Sequence, residues 1–463
     1  LAMIYSWMYP KNVERSVMVG VNPPGNFIYS GAEIDQGIEN YSVLCARQLA
    51  CHARTANLAA SVKHTAAHMP SSWYSLPIEP GNVRIGTFLG LTEATAVDSP
   101  LSGPMTLDSW ISAAHGDPSG LWLLSTLAHL TLPQSFVWGE FAAIGMADAQ
   151  PVDRYFRSGL DRGSVIGNPL GDFLWGDGGL AHAWPINPSE NQYTKVPNSS
   201  VPTLLVGGTL DFETPAQNAT KELLPHLSNG RQVILSGLGH ADDFWYYEPK
   251  ASTELLTTFY ATGQVDTSRY TAHVVSFTTP QSQTAIAKDL LGAMVGVALL
   301  AALWLMGLAI RIRRRGGTGR KTGAWIRSAG PIVFGLGGWF FGALLMLRFW
   351  PGQSLDSELL AVVAIAMPIW LGVYAGWVRS DTPKAMRAKG ISAAGVGAVV
   401  GAVLGFHESS GLMAVITTII GAAVVSNLSF LVLDIWTEVA ASRRTTAPAV
   451  DLSETEHQEL VLH

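Results

Sequence analysis

Two residues of this chain have side chains suited to proton transfer, and each follows an apolar segment. Asp211 comes after the run 203–210, and His240 comes after the run 232–235 and a glycine-containing turn. Both runs predict short buried strands, and polar residues at the carboxyl ends of parallel strands meet at one edge of a sheet. An imidazole exchanges protons near neutral pH, and a carboxylate can orient it. The pair therefore predicts two of the three groups of an acyl-transfer triad.

Each of these residues also has a purely structural interpretation. Asp211 could cap the helix that follows it, and His240 could be a buried histidine with satisfied ring nitrogens. Asp242 and Asp243 fit the first turn of the next helix, and Glu213 fits a first-turn helix charge. The common position of Asp211 and His240 at strand ends favours the catalytic interpretation of these two.

The elements around the pair predict an α/β fold. The predicted order is helix, strand, long helical region, strand, helix, strand and helix, at residues 1–9, 15–23, 27–200, 203–210, 214–227, 232–235 and 246–260. Strand, helix and strand joined by short connections are typical of a parallel sheet.

Three pieces of sequence resemble α/β-hydrolases of the prolyl aminopeptidase and tripeptidyl aminopeptidase group. The opening LAMIYSWMYPKNV resembles the helix after that group's nucleophile elbow, residues 207–215 resemble its acid loop, and residues 237–240 resemble its histidine loop. The resemblance spans residues 1–262. It implies a partial α/β-hydrolase sheet with a helical lid inserted at 27–200, and catalytic roles for Asp211 and His240.

The nucleophile of such enzymes is a serine in a Gly-x-Ser-x-Gly elbow, and the chain order in this fold is Ser, Asp, His. No Gly-x-Ser-x-Gly sequence occurs in the 463 residues. The resemblance implies that the serine and the oxyanion-hole donors lie upstream of Leu1. We therefore expect this chain alone to be inactive.

Cys45 and Cys51 are the only two cysteines. On one continuous helix their Cα atoms would lie about 9 Å apart, too far for a disulfide, so a bond requires a bend between them. The resemblance implies a close cysteine pair in the lid and favours the bond. No His or Cys cluster has metal-ligand spacing, and no phosphate-binding glycine loop follows a strand, so we expect no metal and no cofactor.

Substrate recognition has weaker signals in the sequence. The resemblance implies lid carboxylates that hold a free amino group, and Glu140, next to Trp138 and Gly139, is the candidate substrate-binding residue, with Asp148 as a second. Solvated acids beside packing aromatic residues explain the same pattern. The expected substrate is a peptide or another small acyl compound.

The second part of the chain has the composition of a membrane region. The whole chain is 48% hydrophobic and only 14% charged, and the apolar excess lies at 288–438. Five runs are almost free of charge, at 290–310, 329–347, 359–378, 391–406 and 411–433. Four of these runs have roughly 19–23 residues, enough to cross a ~30 Å hydrocarbon core as a helix. The remaining run, at 391–406, is shorter. The pattern predicts an all-α transmembrane bundle of about five helices, with the lipid bilayer as a partner.

Basic residues orient the predicted spans. They follow the first run at 311–327, the third at 379–389 and the fifth at 443–444. The positive-inside rule places these loops in the cytoplasm, and therefore places everything before the first span outside it. The net charge of −6 predicts no nucleic-acid partner.

The sequence thus predicts a membrane-anchored extracytoplasmic serine hydrolase that acts on peptide amino termini. The predicted segments are hydrolase core, lid, hydrolase core, linker, transmembrane region and cytoplasmic tail, at 1–26, 27–200, 201–262, 263–287, 288–438 and 439–463. Two alternatives stay open. One is an esterase or other acyl hydrolase of the same fold, and the other is a non-catalytic membrane protein with a hydrolase-like ectodomain.

Overall fold

The computed structural model describes residues 2–93, 102–146, 148–161, 163–168, 171, 194–279, 281–355 and 357–445. The chain divides into two compact units, Leu1–Leu290 and Leu291–His463. Parts of the predicted lid, at 172–193, and most of the predicted tail, at 446–463, lie outside the described residues.

The first unit contains five described strands: β1 (Ser16–Val19), β2 (Ser72–Trp73), β3 (Leu76–Pro77), β4 (Thr203–Gly208) and β5 (Gly230–Leu235). Three of them form a parallel sheet in the order β1–β4–β5, with Ser16 opposite Thr203 and Thr203 opposite Gly230. The other two form a short antiparallel hairpin. The small parallel sheet confirms the α/β character of this unit.

The described helices of the first unit surround the sheet and fill the middle region. They are α1 (Ala2–Met8), α2 (Gly31–Ala46), α3 (Leu49–His52), α4 (Leu58–Ala67), α5 (Pro80–Glu93), α6 (Gly103–Ala114), α7 (Ser119–Ser135), α8 (Trp138–Met146), α9 (Ala149–Ser158), α10 (Ala216–Asn218), α11 (Ala241–Tyr246) and α12 (Pro249–Thr262). Helices α2 to α9 lie between β1 and β4 in sequence, where the lid is predicted.

Apolar side chains alternate between the two faces of the sheet, because successive residues of a strand point in opposite directions. Leu204 and Val206 pack with Phe259 on one face. Leu205 packs with Met18 on the other. The sheet is therefore covered on both faces, as parallel sheets require.

Two predicted elements differ from the structure, and a proline explains each difference. The predicted helix at 214–227 is one irregular helical segment, in which α10 continues as a π-turn (Ala219–Leu223) and a 3₁₀ turn (Leu224–His226). Pro225 lacks an N–H group and cannot continue an α-helix. The predicted helix at 246–260 is divided into α11 and α12, because Pro249 starts the second one.

The predicted strand at 232–235 is present as part of β5, but the prediction that it is buried is wrong. β5 pairs only with β4 among the described strands, so it forms an edge of the sheet. Most of its side chains are half-buried or exposed, and Ile234 is 47% exposed. An edge strand has one neighbour, and its outer side chains keep contact with solvent.

Cys45 and Cys51 lie on two different helices. α2 ends at Ala46, Gln48 is extended, and α3 starts at Leu49. This break brings the two Cα atoms to 5.2 Å, and the sulfurs form a disulfide. The Gln48 side chain at the same break accepts a hydrogen bond from the Phe277 N–H and donates one to the Val275 carbonyl.

The segment predicted as a linker packs on the first unit. Val275 is 2% exposed and Phe277 is 7% exposed, and the N–H of His273 donates to the Ser236 carbonyl at 3.1 Å. Residues 273–277 thus contact both the α2–α3 break and the loop after β5. Buried apolar side chains and satisfied backbone groups are properties of a folded segment, so this stretch is part of the first unit.

The apolar half of the chain forms five long helices: α13 (Gln283–Arg315), α14 (Arg320–Phe349), α15 (Glu358–Trp377), α16 (Lys384–His407) and α17 (Gly411–Thr445). Among the described residues, five helices are long and apolar enough to cross a membrane. The short fourth run proves to be part of a 24-residue helix. The charged residues that precede this apolar run, such as Lys384 and Arg387, belong to the same helix.

Small residues set the packing of the last two helices. Gly401 and Gly421 face each other, and a Cβ atom on either would lie 2.1 Å from the other's carbonyl oxygen. Gly405 lies as close to the Thr417 carbonyl. The glycine-rich composition of the fourth run therefore allows close helix contact, as is found in membrane helix pairs.

Candidate functional site

Asp211 and His240 lie in the two loops that leave neighbouring strands. Asp211 follows β4, and His240 follows β5 and directly precedes α11. Because β4 and β5 are parallel and in register, both loops leave the sheet at the same edge. Sequence reasoning predicted this placement from the strand ends alone.

The two side chains are in contact. The Nδ1 atom of His240 lies 3.1 Å from each carboxylate oxygen of Asp211. The Asp211 side chain is 1% exposed, whereas that of His240 is 22% exposed. The carboxylate is therefore shielded from water behind the imidazole, which is the arrangement that fixes a histidine's tautomer and orientation.

Asp211 has a second set of partners in its own loop. Its Oδ1 atom accepts hydrogen bonds from the backbone N–H groups of Glu213 and Thr214, at 3.0 and 2.8 Å. Asp211 therefore has a structural role in its own loop and also contacts His240. The loop bonds fix the carboxylate in the position from which it reaches the imidazole.

Thr214 joins the pair through its hydroxyl group, which sequence reasoning missed. The hydroxyl donates to Oδ2 of Asp211 at 2.7 Å, and its oxygen lies 3.1 Å from Nδ1 of His240. The sequence signal was the threonine three residues after the aspartate, a spacing at which a loop aspartate and a hydroxyl can meet.

Two glycines make room for the histidine. At Gly208, a Cβ atom would lie 2.1 Å from the Leu238 carbonyl oxygen, so the loop before His240 crosses the end of β4 directly. Gly20, after β1, has a positive φ of 57°. A Cβ atom there would lie 2.7 Å from Cε1 of His240 and 3.0 Å from its Nδ1.

The histidine loop is held at its backbone as well. The N–H of His240 donates to the carbonyl of Thr92, in α5, at 3.2 Å. The N–H of Gly239 donates to Oδ2 of Asp243 at 2.7 Å, so Asp243 fixes the turn that precedes α11.

A small cleft opens beside this loop at the carboxyl edge of the sheet. Its lining residues are Val19, Gly20, Val206, Gly207, Gly208, Asp211, Leu235, Leu238, Gly239, His240, Ala241 and Phe244.

Glu213 contacts the other side of the imidazole. Its Oε2 atom lies 3.9 Å from Nε2 of His240, and its side chain is 28% exposed. Burial raises the pKa of Glu213, and the charge of Asp211 raises it further, while the His240 imidazole opposes both effects. The prediction of a first-turn helix charge missed this contact, because Glu213 precedes α10 and its carboxylate faces the site.

The predicted substrate-binding carboxylates lie elsewhere in the middle region. Glu140 is exposed in the first turn of α8. Asp148 is 6% exposed and accepts hydrogen bonds from the N–H groups of Gly25 and Phe27, at 2.8 and 3.0 Å. Asp148 therefore fixes the loop after β1, and this structural role accounts for its burial. Trp138 packs on Phe136 and Phe141.

The groups at the site are suited to proton transfer. In the described part of the chain, no group of three or more His, Cys, Asp or Glu side chains could hold a metal ion. What the site holds is an imidazole with a buried carboxylate on one nitrogen and a half-buried carboxylate near the other. Such an imidazole can accept a proton from a hydroxyl placed at Nε2.

Comparison with known families agrees with this geometry. Residues 175–271 match the α/β-hydrolase family model described as TAP-like protein. The matched stretch contains β4, β5, Asp211 and His240. A search of curated proteins and a search of solved structures found no match. Over this stretch the match supports the α/β-hydrolase part of the resemblance predicted from the sequence, and it suggests a hydrolase.

Proposed function

We propose that this chain carries the acid–base part of a serine hydrolase that acts on the amino termini of peptides. The contact between His240 and the buried Asp211 is the observation that supports it most. In this mechanism a serine attacks the substrate carbonyl, His240 takes the serine proton at Nε2 and gives it to the leaving amine, and Asp211 orients the ring at Nδ1.

The proposed mechanism requires a serine from a Gly-x-Ser-x-Gly elbow, a sequence that the 463 residues do not contain. β1 pairs on one side with β4, and among the described strands none pairs with its other side. A further strand paired there would end beside Gly20 and His240. A nucleophile elbow at the end of that strand would direct its hydroxyl toward the same cleft.

The five apolar helices support a membrane location for the hydrolase-like unit. We propose that they anchor it, with the unit outside the cytoplasm and the end of α17 inside. The basic residues at the ends of α13 and α17 and at the start of α14 and α16 support this orientation through the positive-inside rule.

Membranes that contain this chain joined to a preceding segment with a Gly-x-Ser-x-Gly elbow should hydrolyse aminoacyl 4-nitroanilides. We expect kcat/KM for substrates with a free amino group to exceed that for their N-acetyl forms by about 10- to 100-fold, since a hydrogen bond to a charged group contributes about 1.5–3 kcal/mol. The chain that starts at Leu1, assayed in parallel, should show no turnover.

Simple esters, measured in the same membranes, distinguish the rival functions. Equal cleavage of free and acetylated substrates would contradict the aminopeptidase proposal and favour an esterase or another acyl hydrolase. Absence of all hydrolysis, together with an upstream sequence that lacks a Gly-x-Ser-x-Gly elbow, would favour a non-catalytic ectodomain.

A further inference from the structure

The Glu213 carboxylate occupies a defined position on the substrate side of the histidine. Asp211 contacts Nδ1, and Glu213 lies at the opposite nitrogen, with 3.9 Å between Oε2 and Nε2. This distance is too long for a hydrogen bond, so Glu213 does not orient the ring as Asp211 does. The side chain is 28% exposed, so a ligand beside Nε2 can reach its carboxylate.

Both peptide groups of Glu213 are fixed. Its N–H donates to Oδ1 of Asp211 at 3.0 Å, and its carbonyl accepts a hydrogen bond from the Asn22 side-chain amide at 3.0 Å. The aspartate that holds the imidazole thus also holds the residue that carries the second carboxylate. Such fixation keeps the distance between this carboxylate and the reactive nitrogen constant.

The surroundings of Glu213 favour a cation as its partner. Burial raises the pKa of Glu213, the His240 imidazole lowers it, and the nearby charge of Asp211 raises it. The buried Tyr29 also interacts with Glu213, and its own pKa is raised by burial and by the Glu213 charge. A positively charged ligand would stabilise the ionised carboxylate that this environment disfavours.

We propose that Glu213 binds the α-ammonium group of the first residue of the substrate. This inference rests on the proposed function, because it takes the serine hydroxyl to lie about 3 Å from Nε2. The attacked carbonyl carbon bonds to that hydroxyl, and in an amino-terminal residue the ammonium nitrogen is attached to the neighbouring Cα. A carboxylate next to Nε2 can reach an ammonium group at that position.

The position of Glu213 also selects the length of the released product. If the attacked carbonyl belonged to the third residue of a peptide, two more residues would separate it from the ammonium group. An extended residue spans about 3.3–3.6 Å, so that ammonium would lie well beyond Glu213. The site therefore removes single residues and does not release tripeptides.

Ligand binding to the 463-residue chain tests this inference without any turnover. The probes are phenylalanine amide and N-acetyl-phenylalanine amide, measured by saturation-transfer NMR titration of the detergent-solubilised protein. The native chain should bind the free amine about 10- to 100-fold more tightly than the acetylated form. Glu213→Gln should remove this preference and leave the affinity for the acetylated probe unchanged, and Glu213→Asp should restore part of it.

Glu222→Gln is the matched control, because it removes the same charge from an exposed residue of the helical segment that follows Glu213, where Glu222 accepts a hydrogen bond from the Asn26 side chain. It should keep the preference of the native chain. Equal affinity of the native chain for both probes, or a preference that persists in Glu213→Gln, would overturn the inference. If Glu213→Gln binds neither probe, the inference is also overturned, because Glu213 would then maintain the structure of the cleft.

Failure of the proposed function gives a different result. If the chain joined to a serine elbow hydrolyses no substrate, the proposed function is wrong. An amine preference that is lost in Glu213→Gln would still establish an ammonium site. With hydrolysis, Glu213→Gln should lower kcat/KM for phenylalanine 4-nitroanilide by about 10- to 100-fold and leave a simple ester unaffected.

Discussion

Replacing His240 with alanine should lower kcat of the serine-containing protein by roughly 10⁶-fold, the loss typical of removing the histidine of a triad. The reason is that His240 contacts Asp211 through Nδ1 and lines the cleft. Without it, the serine proton has no acceptor and the leaving amine no donor. The measurement is single-turnover hydrolysis of an aminoacyl 4-nitroanilide in membranes.

Asp211→Asn should have a smaller effect, a loss of roughly 10⁴-fold in kcat, because the imidazole would remain but its tautomer and orientation would not be fixed. His68→Ala is a suitable control, since His68 is exposed at the end of α4. Its kcat should equal that of the unmodified protein. Retention of native kcat in either His240→Ala or Asp211→Asn would contradict the proposed mechanism.

Gly20→Ala is expected to lower kcat by roughly 10²-fold with only a modest loss of stability. The added methyl group would lie 2.7 Å from Cε1 of His240, so the ring must move away from Asp211. Displacements of about 1 Å at reacting groups commonly cost this much in rate. The positive φ of 57° adds a backbone penalty of about 1–2 kcal/mol.

Gly263→Ala separates the two effects of the Gly20 substitution. Gly263 follows α12 with a φ of 75°, and its nearest Cβ contact is the Nε atom of Arg15 at 3.5 Å. It therefore carries a similar backbone penalty without contact to the histidine. Thermal unfolding should shift to a similar extent in both variants, and kcat should fall only in Gly20→Ala. An equal fall in both would show that kcat reports stability and not the position of His240.

The approach of Asp211 and His240 was predictable from the sequence because it depends on local signals. Two short apolar runs with a helix between them predict neighbouring parallel strands, and residues just after such strands share one sheet edge. The structure places the two side chains in contact accordingly. The remaining members of the site come from other constraints.

Gly20 and Glu213 could not be assigned their contacts from the sequence. Gly20 meets His240 only because β1 pairs with β4 across the long helical region that separates them in the chain. Glu213 faces Nε2 because Asp211 and Asn22 fix its peptide groups. Contacts between residues far apart in sequence depend on the fold, and periodicity carries no information about them.

For the apolar helices, the sequence predicts where each helix lies but not where it ends. Their positions follow from hydrophobic length: four of the five predicted runs lie inside described helices, and the third extends one residue past the end of α15. Their ends do not follow from it. Arg315 belongs to α13 and Lys384 to α16, since arginine and lysine have high helix propensity and extend a helix beyond its apolar part.

The Nδ1 proton of His240 gives the most direct test of the acid–base pair, and it needs neither substrate nor serine. Proton NMR of the 463-residue chain should show a far-downfield resonance for this proton, because it is shared with a carboxylate that is shielded from water. The resonance should disappear in Asp211→Asn and persist in Glu213→Gln. A spectrum without it, or one in which Asp211→Asn leaves it unchanged, would contradict the pairing on which the proposed chemistry depends.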